Sequence, residues 1–369
     1  MGNGQKVKFK NRGNDMMKHR RYLFWSVAIL LAAGVAVGGY FVRKFPTRAP
    51  LRPSICDRTG KTLLSDVRNF VFAAPTRHAE CGGKFAAALL GHTIIKDGGR
   101  IGAGGVEALI DRNAMTGDRL LLTLDAGTQE KCEKLLDDIA AAVAPEYAHI
   151  TILDSDGALI AAAQRPVIDL NDRSKVTPRE TVFMASAYVF PVSDAWMRLL
   201  GSRSDAPPEE KLRFGFHRKL GIFPGEGKGT IPGGERYGTV ENHAQSATAL
   251  NFLLAGVGTM ENREIPNLKI FLPDAAPRPA LKITGKTHWH SILWSKDRST
   301  LSALGKVPAG DTGLYILIRI AFRKTGAEGA TAGGDALTEK MIRSFPASLP
   351  AELPKAEPAR VTAKRCLRL

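Results

Sequence analysis

The longest apolar stretch of the chain runs from Tyr22 to Val42 and contains no charged residue. A run of about 21 residues can cross a hydrocarbon core of about 30 Å as one helix. It also exceeds the apolar region of a cleaved signal peptide, which is about 7–15 residues long. The pattern therefore predicts a single, uncleaved transmembrane helix over residues 22–42.

A basic head precedes this predicted helix. Residues 1–21 contain seven lysines and arginines (Lys6, Lys8, Lys10, Arg12, Lys18, Arg20 and Arg21) but a single acid, Asp15. Because basic flanks stay on the cytoplasmic side of a membrane, we expect residues 1–21 to be cytoplasmic. The rest of the chain is then expected on the opposite side.

Residues 43–118 show short extended segments and turn signals. Ile55 to Pro75 is predicted to be extended around the turn Asp57–Gly60, and Gly98 to Gly105 is predicted to be a glycine-rich loop. This pattern indicates a small extended subdomain, here called the pedestal (residues 43–118).

Residues 119–345 mix helical and alternating patterns. Arg119 to Asp125 is predicted to be a strand, Thr128 to Val143 an amphipathic helix, and Ala148–Leu153 with Ala158–Ala163 a hairpin. Further strands are predicted at Lys282–Lys286, Ile292–Trp294 and Leu314–Phe322, and further helices at Trp196–Leu200, Ala244–Val257 and Ala336–Phe345. Helices around an antiparallel sheet indicate an α+β domain, followed by a Pro/Ala/Lys-rich linker or tail over residues 346–369.

The net charge of +16 at pH 7 is concentrated in the basic head and in the tail. No basic patch interleaved with aromatic residues accompanies it, so we expect no nucleic-acid partner. Anionic lipid or an anionic cell-wall polymer fits this charge better. Four cysteines do not make a disulfide framework or a zinc site, and a Cys56–Cys81 bridge remains one alternative.

Several short motifs follow one another along the chain. They are Arg52–Gly60, Leu89–His92, Gly102–Glu107, Leu122–Gln129, Ala161–Pro166, Arg213–Gly229 and Gln245–Pro266. In this order they resemble the motifs of class B penicillin-binding proteins, particularly the division-specific peptidoglycan D,D-transpeptidases. Pro53 stands where the family usually has glycine.

This resemblance implies a penicillin-binding/serine β-lactamase-like transpeptidase domain, an antiparallel sheet with helices, after one transmembrane helix and the pedestal. It implies a single-pass protein of the cell inner membrane, with its N-terminus in the cytoplasm and its main domain in the periplasm, acting in peptidoglycan synthesis and cell division. The implied partners are a cell-wall glycan polymerase and other division proteins. A peptidoglycan stem peptide or a β-lactam is the implied ligand.

The chemistry of the family needs a serine with a lysine three residues later, a second S-x-N motif, and K-T-G. No serine in this chain has lysine at that spacing, and Ser174 is followed directly by Lys175. Counting back from Gly201 puts Phe190 at the Asn position of S-x-N, while another register puts Ala195 there. Ser186 is a weak candidate nucleophile, because no general base stands at the spacing that activation requires.

The K-T-G motif occurs in altered form as Lys286-Thr287-His288. By resemblance, Lys286 and Thr287 face the carboxylate of the substrate, and His288 fills space that glycine leaves open. The literal Lys324-Thr325-Gly326 follows an apolar run that is expected to be the strand after K-T-G, so we interpret it as a turn.

In a strand, His288 and His290 would lie on one face as a possible metal pair, yet they lack a carboxylate or a third histidine, so we expect neither a metal ion nor another cofactor. The sequence favours a catalytically inactive homologue that acts as a scaffold or partner. An active D,D-transpeptidase with a non-standard site is the alternative. A tethered protein that still binds stem peptides without turnover is a third hypothesis.

Overall fold

The computed structural model describes residues 51–67, 75–97, 99–172, 189–190, 239–240, 269–272, 279–295, 297–310, 313–322 and 332–356. Residues 52–67 and 76–369 form one unit, to which the elements below belong. The predicted head and transmembrane helix lie outside the described residues. Among the helices that are described, none is long and apolar enough to cross a membrane.

The first part of this unit is a four-stranded sheet in the order β3-β2-β1-β6. Its strands are β1 (Ser54–Cys56), β2 (Thr62–Val67), β3 (Thr76–Ala79) and β6 (Arg119–Leu121). Strands β1 and β6 are parallel, and the other pairs are antiparallel. Asp57 holds the predicted turn between β1 and β2, because its Oδ1 accepts hydrogen bonds from the Thr59 and Lys61 amides at 2.9 Å.

Two short helices and a hairpin lie between β3 and β6. They are α1 (Ala87–Leu90), β4 (Thr93–Lys96), β5 (Gly99–Gly102) and α2 (Gly105–Arg112). The prediction of a glycine-rich loop over Gly98–Gly105 is therefore wrong. Residues 99–102 form strand β5, and helix α2 begins at Gly105. Gly105 has φ +53, and an added Cβ there would lie 2.3 Å from the Leu89 carbonyl oxygen. The glycine permits close contact between chain segments rather than an open loop.

A buried ion-pair network connects these elements. Glu107 on α2 is fully buried and pairs with Arg77 at 2.5 Å and with Arg52 at 2.7 Å. Asp66 on β2 pairs with Arg100 on β5 at 2.6 Å and with Arg77 at 3.5 Å. Each buried charge therefore lies beside an opposite charge, as burial of charged groups requires. The network joins β2, β3, β5 and α2.

The second part is a five-stranded antiparallel sheet, here called the central sheet, in the order β12-β13-β14-β7-β8. Its strands are β7 (Tyr147–Asp154), β8 (Leu159–Arg165), β12 (His288–Trp294), β13 (Thr300–Val307) and β14 (Leu314–Ala321). The predicted hairpin is confirmed as β7–β8. Strand β13 was not predicted. The strand directly after Lys286-Thr287 is β12, and the next strand along the chain is β13 rather than β14.

Two helices pack on one face of the central sheet. Helix α3 (Ala126–Val143) begins two residues before its predicted start, because Asp125 caps it by accepting a hydrogen bond from the Thr128 amide at 2.7 Å. Helix α4 (Ala332–Ser344) contributes Ile342 to the same core. The buried residues of this core include Leu136, Ile139, Ile150, Ile152, Ile316, Ile318 and Ile320.

The chain continues as ordered structure beyond Pro346, where the sequence predicted a linker or tail. A 3₁₀ helix (Phe345–Ser348) leads to β15 (Glu352–Leu353), which pairs with β11 (Leu281–Lys282). Leu353 is fully buried. Strand β11 is also shorter than the predicted strand Lys282–Lys286.

The remaining described strands are β9 (Val189–Phe190) and β10 (Thr239–Val240), which pair with each other.

The α+β class is confirmed. The two sheets also share one hydrophobic core, which contains Ile55 and Leu64 from the first sheet and Leu153, Leu304 and Leu317 from the central sheet. Residues on both sides of the predicted boundary at 118/119 thus pack together. The structure leaves Cys56 and Cys81 as free thiols.

Candidate functional site

Strand β12 forms one edge of the central sheet and begins directly after Lys286 and Thr287. Its inner edge pairs with β13 along its length. Among the described residues, no strand pairs with its outer edge. Backbone groups of an outer edge can accept a further extended chain, so within the described part of the chain this edge is open to strand addition, and it is here called the open edge.

The segment that enters β12 is held from both sides. The Thr284 amide donates to the Pro308 carbonyl at 3.0 Å, and the Ile283 amide donates to the Ala351 carbonyl at 2.9 Å. A Cβ added to Gly285 would lie 3.1 Å from Pro308 Cγ, so glycine allows the chain to pass close to Pro308. These contacts hold residues 283–285 against Pro308 and Ala351, and so they fix the position at which Lys286 and Thr287 follow.

Lys286 and Thr287 present different polar groups at this point. Lys286 is exposed, whereas Thr287 is half-buried. The Thr287 hydroxyl oxygen is buried and has no hydrogen-bond partner among the described residues. A buried hydroxyl without a partner carries a desolvation cost that an incoming acceptor would relieve. An ammonium and a hydroxyl together can bind a carboxylate.

His288 and His290 continue this edge. Both are exposed, their ring centroids are 4.6 Å apart, and the rings are nearly perpendicular at 87°. A β-bulge separates them: Trp289 pairs with Gly305, while Ser291 pairs with Leu304. Partial burial lowers the pKa of His290, and the charges of His288 and Lys306 lower it further. These effects favour the neutral form of the His290 imidazole.

A row of buried polar residues crosses the central sheet on the face opposite α3. Ser302, Arg319, His149 and Gln164 are successive cross-strand neighbours on β13, β14, β7 and β8. All four are buried. Burial lowers the pKa of Arg319 well below its usual range, and Tyr147 offsets only part of this effect. The row makes one part of this face polar, whereas Leu304, Leu317 and Leu153 on the same face belong to the core shared with the first sheet.

Phe190 lies on this row. Its ring is fully buried, 4.8 Å from the Arg319 guanidinium carbon and edge-on to His149 at 6.3 Å. A cation over an aromatic face is attracted by the ring quadrupole. The residue that one register puts at the Asn position of S-x-N is therefore a packing residue on the sheet. Ser186 and the alternative triplet at Ser193 lie outside the described residues, as does Lys324-Thr325-Gly326.

The sequence interpretation missed the polar row. Its one signal is Arg319, a single charge inside the apolar run that forms β14, where a lone arginine marks a specific buried contact. His149 and Gln164 could not be added from sequence, because their alignment with Arg319 depends on the register of two strand pairs. Lys286 and Thr287 were predicted, and the structure puts both at the open edge.

No family model and no curated protein matches the chain. Two solved structures that resemble it are crystal structures of penicillin-binding protein 3 from Mycobacterium tuberculosis, one in the apo form and one with aztreonam. Each has 15% sequence identity to this chain, and each alignment covers 83% of this chain and 98% of the other chain. The TM-scores are 0.46 and 0.42. The family relation of this chain stays a prediction from its sequence motifs.

Proposed function

We propose that this chain is a membrane-anchored, penicillin-binding-protein-like protein of peptidoglycan synthesis and cell division that has lost transpeptidase activity. Its anchor is the predicted helix over residues 22–42, with the head cytoplasmic and the main domain periplasmic. In this role it acts as a scaffold for a cell-wall glycan polymerase and other division proteins.

One observation carries the proposal: a Lys-Thr pair stands at the open edge of an antiparallel sheet, in a chain where no serine has lysine three residues later. Acyl transfer to serine needs a base within hydrogen-bond reach of the hydroxyl. Binding a peptide needs only the edge and its donors. The chain therefore keeps groups that serve binding and lacks the spacing that serves turnover.

A retained peptide cleft is a second candidate function, which the buried Thr287 hydroxyl favours. An extended stem peptide would add a strand to the outer edge of β12 through main-chain hydrogen bonds. Its terminal carboxylate would accept from Thr287 Oγ1 and lie beside the Lys286 ammonium. A charge-assisted bond of this kind contributes about 1.5–3 kcal/mol.

The alternative is an active D,D-transpeptidase with a non-standard site. It would attack the peptide carbonyl before the terminal D-Ala, release that residue, and pass the acyl group to a neighbouring amine. Ser186 is the weak candidate nucleophile for this reaction. The alternative requires an activating base that the sequence motifs do not supply.

A fluorescent penicillin separates these functions. The full-length chain in detergent would be incubated with the probe and analysed on a denaturing gel, with an active penicillin-binding protein as positive control. We expect no covalent band. A band that Ser186→Ala removes would overturn the inactive proposal and identify the nucleophile.

The retained cleft is tested by equilibrium binding of a stem peptide that ends in D-Ala-D-Ala. Saturable binding that Lys286→Ala weakens about tenfold or more would support the cleft, because it corresponds to loss of about 1.4 kcal/mol. Lys282→Ala, an exposed lysine on β11, is the matched control. Binding that responds equally to both variants would reflect charge alone and contradict the cleft.

A further inference from the structure

We propose that His288 and His290 chelate one late first-row divalent transition-metal ion, of the class of Ni²⁺, Cu²⁺ or Zn²⁺, at the open edge of the central sheet. From the sequence alone, the two histidines are a possible but incomplete metal pair, because a third protein ligand is missing. The structure adds the relative position of the two imidazoles. This inference goes beyond the proposed function and does not depend on it.

The two rings lie at a bulge in β12. Two residues of β12, His290 and Ser291, occupy the space opposite one step of β13 between Gly305 and Leu304. An extra residue of this kind bends the strand and changes the direction of a side chain, often beside a functional site. His290 is the extra residue of this bulge, and its ring contacts the His288 ring at 4.6 Å between centroids.

This separation suits two imidazoles on one ion. Metal–nitrogen bonds of about 2.0–2.1 Å put the centroids of two rings bound to the same ion about 5 Å apart. The observed separation of 4.6 Å is within a few tenths of an ångström of that value. Imidazole is a ligand that Zn, Cu and Ni share, whereas Mg and Ca prefer oxygen. The pair therefore selects the late transition ions.

Both rings are available as ligands. Neither His288 nor His290 forms a hydrogen bond or an ion pair with any residue in the described part of the chain, and both are exposed. The described residues contain no group of three His, Cys, Asp or Glu that could hold a metal ion. The ion would thus keep positions for water or for a carboxylate, as an open site does. Binding would be reversible and would not be needed for folding.

Nearby positive charge limits the affinity. Lys306 on β13 pairs directly with His288, and its ammonium lies 5.4 Å from the centroid of the Tyr315 ring. Lys286 is exposed two residues before His288. Both ammonium groups repel a divalent cation through solvent, so removal of one strengthens binding. Lys306→Met is expected to raise the affinity a few-fold.

The test is a calorimetric titration of the full-length chain, without a histidine tag and in detergent, with Ni²⁺ at pH 7.5. We expect one ion per chain. His288→Ala and His290→Ala should each weaken binding by about 10²-fold, because the second imidazole then no longer binds intramolecularly. His78→Ala is the matched control, since His78 is an exposed strand histidine on β3, and it should leave the affinity unchanged.

A second readout is the electron paramagnetic resonance spectrum of the Cu²⁺ complex. Nitrogen couplings from two imidazoles are expected in the unaltered chain, and from one in either single variant. The proposal is overturned if the unaltered chain binds no Ni²⁺, if either alanine variant binds as tightly as the unaltered chain, or if the spectrum shows one imidazole before substitution.

Discussion

The two edges of the central sheet, β8 and β12, differ in how their outer backbone groups are hydrogen-bonded. At β8, side chains and loops hydrogen-bond to the outer edge: the Gln129 side-chain amide bonds both backbone groups of Ala162, at 2.7 and 2.9 Å, and the Asp125 amide donates to the Ile160 carbonyl at 2.9 Å. At β12, no described residue pairs with the outer edge. Exposed edges invite strand addition, so a protein normally covers them. Within the described part of the chain, the central sheet therefore has one covered edge and one open edge.

Sequence motifs supply the cover of the β8 edge. Thr123, Asp125 and Gln129 belong to the motif that resembles the opening of a transpeptidase domain. Thr123 Oγ1 donates to the Leu159 carbonyl at 2.8 Å, and Asp125 also caps α3. Asn171 uses the same device on β3, where its amide bonds both backbone groups of Ala79 at 2.8 and 3.0 Å. Thr123, Asp125 and Gln129 of this motif thus have structural roles, in contrast to Lys286 and Thr287 at the open edge.

Removal of the β8 cover should have the largest effect. Gln129→Leu keeps the volume of the side chain but leaves the amide and carbonyl of Ala162 buried without partners. Each such group costs about 1–3 kcal/mol, so we expect a loss of about 2–6 kcal/mol in the free energy of unfolding. Chemical denaturation measures it, with Lys134→Ala as the control, because Lys134 lies exposed on the same helix. Equal stability of Gln129→Leu and the control would show that the amide does not cover this edge.

The second largest loss of stability is expected from a substitution at the contact between β12 and β13. A Cβ on Gly305 would lie 2.9 Å from Trp289 Cε3, so Gly305→Ala forces the Trp289 ring out of its place in the core. Overpacking of this kind costs about 1–3 kcal/mol. Gly99→Ala on β5 is the control, because its nearest neighbour, the Lys96 carbonyl oxygen, would be 3.6 Å away. If both variants unfold at the same denaturant concentration, Trp289 does not hold the open edge in place.

Much of this architecture could be predicted from sequence, and the exceptions have physical reasons. The β7–β8 hairpin followed from two apolar runs around a turn, and α3 from helical spacing, since both signals are local. Strand β13 escaped because Ser302, Ala303 and Gly305 are small and carry little apolar signal; Trp289 supplies the missing side-chain volume at Gly305. Trp289 lies on β12, so its contact with Gly305 on β13 cannot be read from the sequence of β13 alone.

The candidate site was predictable in part for a similar reason. The resemblance singled out Lys286 and Thr287 by residue type and neighbourhood. Whether β12, the strand that follows them, lies at an edge depends on which strands pair, and the bulge at His290 depends on the register with β13. The proximity of the two imidazoles therefore needed the fold.

The covered edge should also respond to pH. Burial raises the pKa of Glu133 on α3, although Arg165, at 2.5 Å, and the Ala86 amide partly offset this. The folded state thus holds the proton more tightly than the unfolded state. This contribution to stability is complete below the ordinary pKa of a glutamate and is lost as the pH rises through the raised pKa.

Glu133→Gln removes the titrating group, so the difference in stability between the unaltered chain and this variant should change with pH across that range. Denaturation series at several pH values would measure it. Asp138→Asn, an exposed carboxylate on the same helix, should leave the profile unaltered. A difference between the unaltered chain and Glu133→Gln that stays constant with pH would contradict the raised pKa.

The smallest change in stability is expected at the open edge itself, with the clearest change in binding. Thr287→Val replaces a buried hydroxyl that has no partner among the described residues with a methyl group of the same shape. Stability should stay the same or rise by up to about 1 kcal/mol, because a desolvated polar group is removed. Stem-peptide affinity should fall, because the carboxylate loses a donor. Thr287→Ser restores the donor and should restore the affinity, which a purely steric role of Thr287 would not predict. Polar groups at the β8 edge would then serve the fold, whereas the polar group at Thr287 would serve a ligand.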